Sequence, residues 1–158
     1  TLADKIVVLK DGQVMQTGAP MDLYHNPNTL FVAGFLGAPS MNFLNVTVDD
    51  LQGDQARVSH PALDPISVAT KGRAIARGDI AVLGIRPQYL TPTEPDQGML
   101  HGKVILTERL GSETVVDCVL PDGTKLIAAL TEDRVIAPGA GIGFTFDPAA
   151  AHLFPRDA

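Results

Sequence analysis

Three features of the sequence predict a mainly β protein. From Phe43 onward nearly every segment alternates apolar and polar residues with period two, the pattern of strands with one buried face. Turn signals such as Gly53-Asp54, Lys71-Gly72 and Pro121-Asp122-Gly123 recur at short intervals. The 158 residues include 15 Gly and 12 Pro, enough breakers for many turns, while 45% hydrophobic content supplies a core. Short strands spaced this way point to a small barrel or a sandwich.

The elements follow in order. Ile6 to Leu9 is rich in β-branched residues, Lys10-Asp11-Gly12 carries a turn signal and Gln13 to Thr17 alternates, so a β-hairpin is predicted. Pro20 suits the first position of a short helix through Met21, Leu23 and Tyr24, which Asn26-Pro27 ends. Asn28 is the predicted cap of a second helix whose Phe31, Val32, Phe35 and Leu36 share a face, with Gly37 as its C-terminal cap and Pro39 preventing continuation. Strands are then predicted over Phe43 to Val48, with Asp49-Asp50 already in the turn, and over Gln55 to Ser59, Ile66 to Thr70 and Ile80 to Arg86. Further strands are expected over Met99 to Leu110, Glu113 to Leu120, Thr124 to Leu130 and Ile142 to Phe146, the last followed by one helical turn around Pro148 to Ala151. Pro87 marks an edge or a strand end.

The period changes within the apolar run Leu30 to Leu44, which divides the chain into a first unit of residues 1–36, a hinge of residues 37–42 and a β-rich unit of residues 43–158. A hairpin and two short helices bury too little to fold alone. The first unit therefore needs a missing body, and the helix ending at Leu36 is expected to be poorly buried, with the N-terminal arm either mobile or docked on a neighbouring copy. The chain begins at Thr1 in what reads as the interior of a domain, so a larger parent protein is expected.

With 12 basic against 18 acidic residues and a net charge of −6, the chain lacks the footprint of a nucleic-acid binder. Its lack of Trp, with two Tyr and six Phe, offers few stacking platforms for single strands. No run reaches the roughly 18 apolar residues of a membrane-spanning helix, and no signal pattern opens the chain, so no direct membrane insertion is expected. A single cysteine, Cys118, admits neither an intrachain disulfide nor a multi-cysteine metal site.

Residue by residue, catalysis finds little support. His25, His60, His101 and His152 lack metal-ligand spacing, and packing or hydrogen bonding is the favoured role of His152. Cys118 reads as an inert core thiol. The run Gly139 to Gly143 leads into a strand instead of a helix N-terminus, so it reads as a turn and not a phosphate cradle. Glu108, Glu113 and Asp117 read as solvated or salt-bridged strand residues. There is no G-x-x-x-x-G-K-[ST] loop and no strand ending in paired acids. No catalytic, cofactor or metal residue is predicted.

The run ADKIVVLKDGQVMQTGAPMDLYHNPNTLFVAGFLGAPSMNFL resembles the last part of the nucleotide-binding domain of sugar-importing ABC transporter ATPases, the group of the maltose and glycerol-phosphate importers. Downstream, Gly84-Ile85-Arg86-Pro87, Glu108 to Glu113, and Phe146-Asp147-Pro148 through His152-Leu153-Phe154 resemble words of that family's OB-type, TOBE-like accessory domain. Gln88 and Pro155 depart from it, standing where the family usually has Glu and often has Asp.

The resemblance implies OB-type barrels after a truncated nucleotide-binding domain. It also implies an intact subunit that uses ATP and Mg²⁺ to drive import, while this stretch holds neither and is no enzyme by itself. Its implied partners are a second copy of the subunit, the transporter's membrane subunits and a regulatory protein, at the cytoplasmic face of the membrane. Met41, Asn42 and Phe43 are implied near the dimer contact, with Arg86, Leu110 and Gly111 as further candidates; Arg86 is expected in a structural or interdomain ion pair. The alternative reading is an OB-type module that senses a sugar or an oxyanion.

Overall fold

The computed structural model describes residues 4–37, 39–133 and 135–156. Residues 1–3 of the first unit, Ala38 of the hinge and residues 157–158 lie outside the described residues.

The first unit opens with an antiparallel hairpin of β1 (Ile6–Lys10) and β2 (Gln13–Gly18), followed by helices α1 (Pro20–His25) and α2 (Leu30–Phe35). Pro20 holds the first turn of α1, as its fixed φ favours. The cap of α2 is Thr29, not the expected Asn28: the Thr29 hydroxyl accepts from Val32 N at 3.3 Å. Asn28 instead donates its backbone N–H to the Gln16 side chain, tying the helix link to β2.

The β-rich unit is one curled antiparallel sheet. It is built from β3 (Asn42–Gln52), β4 (Gln55–His60), β5 (Leu63–Ala69), β6 (Ile80–Ile85), β8 (Leu100–Arg109), β9 (Thr114–Val119), β10 (Lys125–Leu130) and β12 (His152–Pro155), in the order β10-β9-β8-β5-β4-β3-β6-β12. Strand β11 (Gly141–Thr145) pairs with β8 and with the short β7 (Thr91–Thr93). Their inward residues form a continuous core that includes Val46, Val58, Leu83, Leu100, Val116, Leu126, Phe144 and Leu153. The expected mainly β, OB-type architecture, with a hairpin and two short helices ahead of it, is what the chain adopts.

Three further expectations change. The strand predicted to end at Val48 runs on to Gln52, because a bulge between Val48 and Asp50 absorbs the irregular residue and the turn falls at Gly53-Asp54 alone. Strands β7 and β12 are additions to the predicted set. The first is three residues long around Pro92; in the second, His152, Leu153 and Phe154 are all buried, so no alternation marks it.

The third change concerns the helix ending at Leu36, whose inner face is not poorly buried. Val32 and Ala33 of α2 are fully buried. Val32 packs with Val8 and Leu23 inside the unit, and Ala33 packs with Met41 and Phe154 of the sheet. At about 1.5–3 kcal/mol per buried aliphatic side chain, this face outweighs the weak intrinsic stability of six-residue helices. The predicted apolar face is rotated: Phe35 is 64% exposed and stacks on Phe31 at 5.7 Å between centroids.

The sheet curls far enough for β10 to meet the start of β3. The Asn42 amide donates from Nδ2 to Ile127 O at 2.8 Å and accepts from Ile127 N at 2.8 Å, so a side chain imitates one rung of a β-ladder between strands that are not neighbours. Asn42→Ala leaves both Ile127 backbone groups without partners and should destabilise the chain by about 2–4 kcal/mol, read as a lowered urea midpoint with unchanged slope.

Candidate functional site

The functional geometry centres on Arg86, which leaves the end of β6 and is only 2% exposed. Its Nη1 donates to Leu36 O at 2.6 Å and its Nη2 to Tyr24 O at 2.9 Å. Leu36 caps the C-terminus of α2, and Tyr24 stands in the last turn of α1. One guanidinium therefore satisfies carbonyls that both helices leave without intrahelical donors, at the end where positive charge is favoured. The same group lies over the Tyr24 ring, 3.9 Å from its centroid. The Gln88 amide donates to the Tyr24 hydroxyl, so the departure from Glu makes a neutral contact to the first unit. The expected ion pair is not formed: the acceptors are two backbone carbonyls, and among the described residues no carboxylate pairs with Arg86.

The surrounding sequence accommodates this clamp. Gly37 has φ of +99°, and a Cβ there would stand 2.8 Å from Arg86 Nη1. A Cβ at Gly84 would stand 2.5 Å from Met41 Sδ. Within the Gly84-Ile85-Arg86-Pro87 word, Gly84 thus leaves space for Met41, Ile85 packs in the core, Arg86 forms the clamp and Pro87 starts a 3-10 turn over Pro87–Tyr89.

A second arginine repeats the device. Arg73 donates from Nη2 to Pro27 O at 2.8 Å, in the link between the helices, and from Nη1 to Leu153 O at 3.3 Å, with its guanidinium over the Phe154 ring. Sequence reading missed Arg73; its only signal was its place just after the Lys71-Gly72 turn. Burial lowers the pKa of both arginines, and the Tyr24 and Tyr89 phenols partly offset this at Arg86.

Beside the clamp lies a cleft of about 380 Å³ between α1 and the sheet, bounded by His25, Lys71, Arg86 and His152. His152 is 6% exposed and its Nδ1 is buried without a hydrogen-bond partner. Burial, then the charges of Lys71, Arg73, Arg86 and His25, push its pKa down to about 4.

The other predicted residues are dispersed. Met41 and Asn42, expected near a contact with a second copy, are turned into the chain: Met41 packs with Ala33 and Phe154, and Asn42 is spent on Ile127. Phe43 is half-buried beside Gly34 of α2. Leu110 and Gly111 form the exposed β8–β9 turn, where Leu110 N donates to Glu113 O. That turn lies beyond the Leu130–Thr114 pair, three rungs or about 10 Å along the ladder from Ile127. The structure therefore does not gather Met41, Asn42 and Phe43 with Leu110 and Gly111. Cys118 is buried, with its thiol pushed up to about 12 by burial and by Asp117, as an inert thiol requires. No cluster of three or more metal-ligating side chains occurs among the described residues.

The clamp and its histidine can each be tested by substitution. Arg86→Ala removes two charge-assisted bonds and a cation–π contact, about 3–5 kcal/mol in sum; hydrogen exchange should quicken across α1 and α2 while β4 and β9 stay protected. His152 is held neutral in the fold but takes up a proton near pH 6.5 once unfolded, so stability should fall as pH drops from about 6.5 to 4. The loss is about 2–3 kcal/mol in chloride buffer, and urea titrations of His152→Gln should lack that component.

Comparison with known proteins gives this geometry relatives. Residues 37–90 match the MalK OB fold domain and residues 83–154 match the TOBE domain, so the two matches overlap on the β6–Arg86 word. Over 158 residues, 99% of this chain, it is 39% identical to the maltose/maltodextrin import ATP-binding protein MalK of Salmonella typhimurium and 35% identical to that of Aliivibrio fischeri. The chain spans 43% of the length of these relatives. Its fold is also similar to that of the cytoplasmic molybdate-binding protein ModG, solved with molybdate bound, with a TM-score of 0.60 at 16% identity over 72% of this chain and 95% of that one. Over residues 37–154 the chain is therefore similar to the MalK OB fold and TOBE domains, and over its length it is similar to part of the maltose/maltodextrin import ATP-binding proteins.

Proposed function

We propose that this chain is the dimerisation and regulatory region of the ATP-binding subunit of an ABC importer for a sugar or related solute. The observation that carries the reading is the 35–39% identity to import ATP-binding proteins, which extends across the hairpin and helices as well as the OB and TOBE residues. The shape of the first unit supports it. Val7, Leu9, Val14 and Met21 are exposed on a two-stranded sheet and its adjoining helix, an apolar face suited to the body of a nucleotide-binding domain. In the intact subunit that domain would hold ATP and Mg²⁺ and meet the membrane subunits at the cytoplasmic face. The present residues would transmit its position to the sheet through Arg86 and Arg73.

For contact with a second copy, the exposed apolar residues Ile105, Leu106 and Leu110 along β8 and its turn replace the buried Met41 and Asn42. Gly111 and Phe43 keep enough exposure to take part. No helix of the described residues is long and apolar enough to cross a membrane. Light scattering on the 158-residue chain should give a concentration-dependent dimer that Leu106→Glu together with Leu110→Glu abolishes. A strict monomer at about 100 μM, near the Kd range where weak interfaces become populated, would contradict the dimerisation role.

A further inference from the structure

We propose that the free edge of β10 takes an extended, basic peptide segment of a partner protein as an added strand. The curled sheet is left open there: β10 ends the strand order, and the hydrogen bonds that join it to β3 come from the Asn42 side chain. In an antiparallel pair every second residue turns its N–H and C=O away from its neighbour strand. Ile127 is such a residue, since both its backbone groups go to Asn42, and Ala129 shares its parity. Among the described residues neither backbone group of Ala129 has a partner beyond the β9 side. The rung that follows the one Asn42 fills is therefore vacant, and Ala129 is only partly buried.

A groove runs beside that rung. A depression of about 280 Å³ lies between residues 129–132 and residues 88–92, and a second of about 240 Å³ continues it past Pro92 between Pro95 and residues 135–137. The far wall cannot supply the ladder. Phe144 accepts from Met99 on the β8 side, so Gly143 and Thr145 turn toward β7, where they pair with Thr93 and Thr91. Pro92, between those two, turns its backbone away from β11 and has no N–H to give. An added strand must take its rung from β10. The lining sets its side chains: the buried Leu90 and Leu130 suit an apolar residue, and the alternate residues stand at the rim. The charged groups of the described lining are Glu94 and Glu132, with no lysine or arginine among them, so cationic residues complement that rim. A second copy would bring the same acidic lining against itself. In strand addition the main chain gives affinity and the side-chain pockets give specificity. This edge is separated by β9 from the β8 residues assigned to contact with a second copy, so the two readings fail separately.

The probe is the capped peptide Ac-KVTVK-amide, titrated into the isotope-labelled 158-residue chain and followed by amide NMR. At about 1 mM peptide the Ala129 amide should shift and its hydrogen exchange should slow about 10-fold, while exchange at Ile127, already bonded to Asn42, stays as it was. Ac-EVTVE-amide should bind about 5-fold or more weakly. Ala129→Pro removes the free N–H without touching the β9 ladder and should abolish binding. Glu94→Lys, at an exposed position, keeps the fold intact and should weaken the basic peptide about 3-fold or more. No response of Ala129 to the basic peptide, equal binding of the acidic one, or unchanged binding in Glu94→Lys would overturn the proposal. An Ala129 shift that grows with protein concentration alone would do the same, by identifying a second copy as the occupant.

Discussion

The architecture depends on a buried guanidinium that ends two helices at once. A six-residue helix has at least as many unpartnered terminal carbonyls as internal hydrogen bonds, so α1 and α2 gain little from their own backbones. Arg86 supplies the missing donors from the end of a core strand, and its planar fork serves two carbonyls on different helices in a way that a lysine could not. Because those carbonyls belong to the first unit and β6 belongs to the sheet, the contact that completes the helices also joins the units. Arg73 adds a second point of attachment at Pro27 O and Leu153 O, so the junction is fixed at two places and resists rotation about either.

The same economy holds in the sheet. Strand β3 enters next to the hinge, and its first residue, Asn42, reaches across to β10 with an amide that offers one donor and one acceptor. Met41, just before it, fills the space that Gly84 leaves open and meets Ala33 of α2. Two consecutive positions thus serve helix docking, sheet curvature and strand entry. The motif Met41-Asn42-Phe43 is a structural junction within the chain.

Most of the strands were legible because their faces differ: Leu126, Ala128 and Leu130 are buried in alternation with Lys125, Ile127 and Ala129, which is what a period of two reports. Strand β12 was not legible, since His152, Leu153 and Phe154 are buried together beside β6. The importance of Arg86 was visible in its word, but its partners were not. A carbonyl leaves no trace in a sequence, whereas a carboxylate does, and this biased the expectation toward an ion pair. Phe35 shows a related limit: the helical spacing gave a face but not its direction, and Ala33, too small to register as a hydrophobic marker, is what packs on the sheet. The cleft at His152 arises only when residues 25, 71, 86 and 152 meet in space, which no local pattern encodes.

The arginine clamps predict that the hairpin and helices unfold as one cooperative body with the sheet. Differential scanning calorimetry of the 158-residue chain tests this most directly. A single transition whose calorimetric and van't Hoff enthalpies agree is the expected result. A separate low-temperature transition accompanied by loss of helical circular dichroism, with the β signal unchanged, would contradict it.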